Sequence, residues 1–232
     1  FFPPFPIHHP ETLMKKRFLL QTLALAALAA STSGVMAQEK FKIGLVLPMT
    51  GQQATTGRQI EAAARLYMAQ HGDTVAGKKI ELIVKDDTSL PDQTRRLAQE
   101  LIVNDKVNVL AGMGITPSAM AVAPLATQSK TPLVVMAAAT SSITEASPYI
   151  MRTSFTLPQA SVALADWAPK NGIKKVVTLV SDYGPGIDAE KFFKERLTFN
   201  GGQVIEQLRV PLRNPDFAPF LQKVLDTIPH AL

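Results

Sequence analysis

The sequence predicts an α/β fold in which helices cover parallel β-sheets. Between residues 41 and 227, short apolar runs alternate with segments that carry apolar side chains at helical spacing. Short loops join the two kinds of segment, and this alternation is typical of parallel strands connected by helices. Because right-handed crossovers bring the carboxyl ends of such strands to one edge of the sheet, we expect the binding site at that edge.

The composition is that of a globular protein. The chain has 232 residues, 46% of them hydrophobic, enough for one large domain or two small ones. Outside residues 1–37 there are 21 basic and 18 acidic side chains, so the net charge of +5 falls to +3. This charge is too small and too scattered to predict nucleic-acid binding. The sequence has no cysteine, which excludes disulfides, thiolate metal ligands and cysteine nucleophiles.

The N-terminal part has the three-part pattern of a secretory signal peptide. A basic segment at 14–17 precedes an apolar run at 18–30, and small residues follow as far as Ala37. The rival interpretation, a transmembrane anchor, requires about 20 apolar residues, more than this run supplies. We therefore expect a signal peptide at residues 14–37, cleavage before Gln38, and a periplasmic mature protein.

The first part of the mature chain predicts four strands and three helices. The strands are apolar or alternating runs, and glycine or proline marks the ends of several helices. The predicted strands are 41–47, 79–85, 107–111 and 132–136, and the predicted helices are 57–70, one that starts at 91, and 119–126.

The alternation restarts after a short extended piece at 150–153, which lies between Pro148 and Pro158. The later elements predicted are helix 157–171, strand 175–181, loop 182–186, helix 187–200, strand 203–211 and helix 217–227. We therefore predict two lobes, residues 38–153 and 154–232, with a hinge around 152–154. The alternative is that the first sheet simply continues. Residues 1–13 have no initiator Met and are interpreted as an upstream or non-native segment.

The loop at 112–118 is the strongest candidate for a binding site. It follows a buried strand, turns at Gly112 and Gly114, and leads into a helix for which Pro117 suits the first turn. Free N–H groups and the positive end of the helix dipole would meet beside the hydroxyl of Thr116, which predicts an anion site. The alternative is a tight turn in which Thr116 only caps the helix. The small-residue loop at 137–142 ends the next strand and should face the same crevice.

Other kinds of chemistry find little support in the sequence. The four histidines form no HExxH or other metal-ligand spacing, and there is no GxSxG elbow or P-loop lysine. We therefore predict no catalytic residues, no cofactor and no metal. The pair Asp86-Asp87 is interpreted as a solvated loop that caps a helix, with a functional carboxylate pair as the alternative. Trp167, at helical spacing, is interpreted as a packing residue.

Several segments together resemble one family, the periplasmic solute-binding proteins of branched-chain amino acid ABC transporters, of the Leu/Ile/Val-binding type. The resemblance extends over about residues 40–225 and rests on KIGLVLPMTG, KIELIVKDDTSLP, VNVLAGMGITPSAMAVAPLA, PLVVMAAATSS, YIMRTSF and VVTLVSDYGPG. It implies the type I periplasmic binding protein fold, with two Rossmann-like lobes that close around a ligand at the hinge. It also implies a C-terminally truncated second lobe, because the family's next strand would begin near Leu232.

The resemblance also implies which residues bind the ligand. The family's hydroxyl residue after the strand-end glycine corresponds to Thr116. Its Ala-x-Thr pair corresponds to Ala138 and Thr140, with Ser141 adjacent, and these groups bind the α-carboxylate and α-ammonium of an amino acid. Its second-lobe tyrosine corresponds to Tyr183.

The function implied is that of an extracytoplasmic binding protein, not an enzyme. It would capture a small carboxylate, with a branched-chain or other amino acid as the expected ligand, and deliver it to an ABC transporter permease. Two alternatives remain open: a ligand such as an aromatic carboxylate, a short amide or urea, and a ligand-sensing domain of a receptor with the same lobes.

Overall fold

A computed structural model describes residues 39–51, 53–212 and 216–227, together with residues 1, 3 and 231. The predicted signal peptide and nearly all of the predicted upstream segment lie outside these residues, so both remain predictions. The unit Glu39–Leu232 is compact and contains the strands and helices of the fold. No helix in the described part of the chain is long and apolar enough to cross a membrane.

The first sheet confirms the predicted parallel arrangement. Its strands are β1 (Lys40–Leu47), β2 (Thr74–Val75), β3 (Lys78–Asp86), β4 (Val109–Gly112), β5 (Leu133–Val135) and β6 (Ile150–Arg152). Their order is β2-β3-β1-β4-β5-β6, and every neighbouring pair is parallel except β2–β3. The sequence did not predict β2, because two exposed residues are too few to show an alternating pattern.

Three helices connect these strands: α1 (Ala54–His71), α2 (Pro91–Val103) and α3 (Thr116–Ser129). One face of the sheet packs against α2 and α3 in a large apolar cluster that includes Leu97, Leu101, Leu110, Met113, Val122 and Leu133. The opposite face has a smaller cluster around Leu45 and Leu47, to which α1 contributes Ile60. Tyr67, also in α1, is 65% exposed.

The second sheet consists of β7 (Lys175–Ser181) and β8 (Gln203–Val210), which are parallel to each other. Around it lie α4 (Leu157–Lys170), α5 (Gly184–Phe199) and α6 (Ala218–Thr227). Alternate side chains of β7 face opposite ways: Val176 clusters with Ala165 of α4 and Leu197 of α5, whereas Val177 clusters with Val224 of α6. Two separate sheets support the proposal of two lobes, and the boundary near residue 154 stays part of that proposal.

Three details differ from the sequence prediction. The extended piece predicted at 150–153 was not assigned to a sheet, and residues 150–152 pair with β5 as the edge strand of the first sheet. Helix α5 begins at Gly184 and not at 187, since Pro185 fits its first turn. The prediction that Trp167 is a packing residue is wrong, because its side chain is 52% exposed.

We expect Gly112→Ala to destabilise the fold strongly. Gly112 has φ +116°, and a Cβ built there would lie 2.2 Å from the carbonyl oxygen of Val46. Strain and overlap together should lower the free energy of unfolding by roughly 2–4 kcal/mol. Gly72→Ala is the matched control, because Gly72 has φ +87° but nothing within 4 Å of the added Cβ, so it should cost about 1 kcal/mol. Urea unfolding followed by circular dichroism measures the free energy of unfolding of both variants. Equal losses of stability would mean that the close approach of Gly112 to Val46 has no cost of its own.

Candidate functional site

Two threonine hydroxyls meet at the carboxyl edge of the first sheet. Thr116 is the first residue of α3, and Thr140 lies in the loop after β5. Their Oγ1 atoms are 2.7 Å apart, and both residues are buried. The structure thus brings together two residues that the sequence predicted separately. The alternative role for Thr116 as a helix cap is wrong, because Ile115 is the N-cap and no side chain makes a capping hydrogen bond there.

The start of α5 lies directly over this hydroxyl pair. A Cβ built on Gly184 would lie 3.1 Å from Oγ1 of Thr140 and 3.4 Å from Cγ2 of Thr116. The absence of a side chain at residue 184 therefore permits the close approach. Helices α3 and α5 both begin at this point, so the positive ends of two helix dipoles are close to the same two hydroxyls.

The loop that carries Thr140 and leads from β5 to β6 is held by several hydrogen bonds. The N–H of Ala138 donates to the carbonyl of Met113 at 3.0 Å. Ser141 donates its N–H to Oδ2 of Asp188 at 2.7 Å and its hydroxyl to Oδ1 at 3.0 Å. Arg152 donates from Nη2 to the carbonyl of Thr140. Ligand contacts by Ala138 and Ser141 remain predictions, and the donors named here already have partners.

Sequence reasoning missed Asp188 and Arg152. Arg152 ends strand β6 at the same edge of the sheet as Thr140, so its position at a strand end could have indicated it. Asp188 lies in α5, 47 positions from Ser141, and no local pattern links the two. Burial lowers the pKa of the Arg152 guanidinium below its ordinary value, while the charge of Asp188 acts in the opposite direction.

Tyr183 lines a cavity of about 130 Å³ beside the hydroxyl pair. It is the N-cap residue of α5 and is about half buried, and this burial raises the pKa of its phenol above the usual value. The other residues that line the cavity are Gln53, Ser89, Pro91, Ile115, Pro117 and Leu212. None of these lining residues carries a charge. Thr116 lies between two of them in sequence but does not itself line the cavity.

Ser89 is a further residue that the sequence did not single out. It has φ +62°, in the left-handed region that non-glycine residues rarely adopt. Its Oγ is buried and has no hydrogen-bond partner among the described residues. A strained backbone and an unpaired buried hydroxyl are features that concentrate at binding sites.

The aspartate pair at the end of β3 holds the loop that carries Ser89. Asp86 accepts hydrogen bonds from the N–H of Met49, the N–H and hydroxyl of Thr50, and the N–H of Thr88. Burial acts to raise the pKa of Asp86, but these hydrogen bonds outweigh it and hold the pKa below its ordinary value. The interpretation of this pair as a solvated loop is wrong for Asp87, which is only 1% exposed.

Asp87 also connects this loop to helix α3. It accepts from the N–H of Ser89 at 3.0 Å and from the hydroxyl of Thr94 at 2.8 Å. Oγ1 of Thr94 in turn lies 2.7 Å from Oγ of Ser118, in the first turn of α3. This buried chain of polar groups fixes the part of α3 that carries Thr116. No group of three His, Cys, Asp or Glu side chains within the described ranges is placed to hold a metal ion.

Comparison with known families gives one match over most of the chain. Residues 40–232 match the model of the family described as "Periplasmic binding protein". A curated relative is the Leu/Ile/Val-binding protein homolog 6 of Brucella abortus, which is 44% identical over 213 residues. That alignment covers 91% of this chain and 54% of the relative, so the chain spans about half the length of the curated relatives that it matches.

Two solved structures of solute-binding proteins show the same fold. A protein of an ABC transporter from Rhodopseudomonas palustris BisB5, in complex with 3,4-dihydroxybenzoic acid, matches with a TM-score of 0.80 and 65% identity, over 83% of this chain and 54% of that one. A second R. palustris protein, in complex with 4-hydroxybenzoate, has a TM-score of 0.80 and 47% identity, over 82% of this chain and 52% of that one.

We expect Asp86→Asn to remove part of the acid sensitivity of the fold. The pKa of Asp86 is lowered in the folded state, so its carboxylate stabilises the protein above the unfolded pKa of about 3.9. That contribution is lost as the pH falls through the lower, folded pKa. Urea unfolding between pH 7 and pH 3 should show lower stability at pH 7 and a shallower acid dependence for the variant.

Asp92→Asn is the control for this experiment. Asp92 is exposed in the first turn of α2, and its carboxylate accepts no hydrogen bond within the described part of the chain. The acid dependence of this control should stay close to that of the parent. If Asp86→Asn behaved in the same way, the carboxylate of Asp86 would not hold the two loops.

Proposed function

The chain belongs to the periplasmic binding protein family, and from this we propose that the protein is an extracytoplasmic solute-binding protein. It captures a small carboxylate between two lobes and delivers it to the permease of an ABC transporter. The proposal includes export by the signal peptide at residues 14–37 and a periplasmic location. Relatives of the chain are binding proteins, so we also propose a role in binding and not in catalysis.

The observation that carries the proposal is the meeting of α3 and α5 at the Thr116–Thr140 hydroxyl pair. Hydroxyl groups and helix N-termini both favour an anion, and each helix terminus contributes about 0.3–1 kcal/mol. A ligand carboxylate at this point would receive hydrogen bonds from both hydroxyls, in place of the bond that they now share at 2.7 Å.

The neighbouring cavity favours an aromatic carboxylate over an amino acid. An ammonium group needs a carboxylate partner when it is buried, but none of the residues that line the cavity is acidic. Asp188 lies near but is engaged by Ser141. The half-buried ring of Tyr183 offers a surface on which an aromatic ligand can stack.

The ligands of the structural neighbours support the same choice. The two R. palustris proteins bind 3,4-dihydroxybenzoic acid and 4-hydroxybenzoate. Each combines a carboxylate with a planar apolar ring and a polar hydroxyl. We assign the carboxylate to Thr116 and Thr140, the ring to Tyr183, and a ring hydroxyl to the unpaired Oγ of Ser89. The expectation of a branched-chain amino acid finds no comparable support in the cavity.

Calorimetry on the full-length protein tests the ligand class. We expect 4-hydroxybenzoate and 3,4-dihydroxybenzoate to bind with a Kd of about 1 µM or below, equivalent to about −8 kcal/mol. Leucine should bind at least tenfold more weakly, because its ammonium would lose water without gaining a carboxylate partner. Tighter binding of leucine than of both aromatic acids would contradict the proposed ligand class.

The variant Thr116→Val tests the carboxylate site. A hydrogen bond to a charged group contributes about 1.5–3 kcal/mol, so the Kd for 4-hydroxybenzoate should rise roughly 10- to 100-fold. The control is Thr127→Val in the same helix, whose hydroxyl donates to Ala123 and Ser147 away from the cleft. It should leave the Kd unchanged. Equal affinity in Thr116→Val and the parent would remove Thr116 from the site.

A further inference from the structure

One carboxylate joins the two sheets at the edge of the proposed site. Asp188 belongs to α5, which packs on the second sheet, and Ser141 belongs to the loop after β5 of the first sheet. Both oxygens of Asp188 accept a hydrogen bond from Ser141, at 2.7 Å from its N–H and at 3.0 Å from its hydroxyl. Because the acceptor is charged, these bonds are about twice as strong as neutral ones.

The same loop is held from its other side by Arg152. The Arg152 guanidinium donates to the carbonyl of Thr140, the residue before Ser141. The charges of Arg152 and Asp188 are near enough to interact. The peptide bond between Thr140 and Ser141 therefore lies between a cation of the first sheet and an anion of the second. The cation, Arg152, donates to its C=O, and the anion, Asp188, accepts from its N–H.

The position of this contact relates it to the ligand. Asp188 is four residues after Gly184, about one helical turn along α5. Gly184 lies over the hydroxyls of Thr116 and Thr140. A bond that holds Asp188 on Ser141 thus also holds the start of α5 over the hydroxyl pair. Movement of the second lobe away from the first would break both contacts together.

We propose that Asp188 is the closing residue of this protein: its carboxylate joins the second lobe to Ser141 and thereby sets the fraction of protein in the closed arrangement. This inference rests on the proposed function of a two-lobed binding protein. It assigns Ser141 to closure and leaves Thr116 and Thr140 to the ligand. Ligand affinity then depends on Asp188, although Asp188 need not touch the ligand, because the measured Kd includes the free energy of closing the lobes.

A competing arrangement makes the opposite prediction. A carboxylate that occupies two donors beside an anion site could act as a placeholder, which a ligand carboxylate must displace. Removal of Asp188 would then tighten binding. A closing residue gives the reverse, with weaker binding and a more open ligand-free protein, so the sign of the effect separates the two arrangements.

The experiment measures the distance between the lobes in the full-length protein. Arg95→Cys in α2 and Lys223→Cys in α6, both at exposed positions, would take a pair of dyes in a full-length protein from which any other cysteine has been removed; residues 1–232 contain none. Energy transfer without ligand reports closure independently of ligand identity. Asp188→Ala should lengthen the mean distance, Asp188→Asn should do so less, and Ser141→Ala should have a partial effect because its N–H remains.

The matched control is Asp182→Asn, at an exposed carboxylate just before α5. It should change neither distance nor affinity. With 4-hydroxybenzoate as the probe, Asp188→Ala should raise the Kd about tenfold or more, mainly through faster dissociation. The effect of Asp188→Ala should be much smaller in a Ser141→Ala background, because the two residues share one contact. Circular dichroism confirms that each variant folds.

The outcomes separate this inference from the proposed function. A longer distance in Asp188→Ala, together with no binding of the probe by the parent, would support the closing residue and overturn the aromatic ligand. Tight probe binding by the parent with an unchanged distance in every Asp188 variant would overturn the closing residue alone. Tighter binding by Asp188→Ala would also overturn it, in favour of the placeholder.

Discussion

The edge of the first sheet depends on the contact between Gly112 and the carbonyl of Val46. Only a residue without Cβ fits there, since the added atom would lie 2.2 Å from that oxygen. The same carbonyl accepts the N–H of Met113 at 3.0 Å, and the carbonyl of Met113 accepts the N–H of Ala138 at 3.0 Å. This series of backbone contacts leads from the central strand β1 to the loop that carries Thr140. The two threonines can meet because both of their loops are fixed to the same point of β1.

Polar side chains fix the remaining loops of this edge. Asp86 binds the turn after β1 as well as its own loop, and Asp87 binds Ser89 and, through Thr94, the start of α3. Their hydrogen bonds support the left-handed backbone at Thr88 and Ser89, a conformation that costs about 1–3 kcal/mol per residue elsewhere. The two aspartates, for which the sequence left a functional carboxylate pair as the alternative, therefore hold the loop whose Ser89 lines the cavity.

The second sheet adds a helix start and a tyrosine to this edge. Gly184 lies on the hydroxyl pair, and Tyr183 lines the cavity. Asp188 holds the loop of the first sheet that carries Thr140 and Ser141. The described residues around the cleft supply donors for an anion and a ring for stacking, but no free carboxylate for an ammonium. Under the proposed function, these groups fit a carboxylate on an aromatic ring, as in the hydroxybenzoates that the two R. palustris neighbours bind.

The parallel α/β fold, the order of the main strands and helices, and the loops at the carboxyl edge could all be predicted from the sequence. These follow from apolar periodicity and from turn residues, which act between neighbours in the chain. The loops that carry Thr116 and Thr140 could be predicted to face one crevice, because the carboxyl ends of parallel strands meet at one edge of the sheet. Thr140 itself was singled out by the family resemblance. The burial of Asp87, the unpaired hydroxyl of Ser89 and the bond between Asp188 and Ser141 became visible only in three dimensions. Each of these depends on which side chains come into contact across long stretches of chain. The local periodicity of the sequence does not show such contacts.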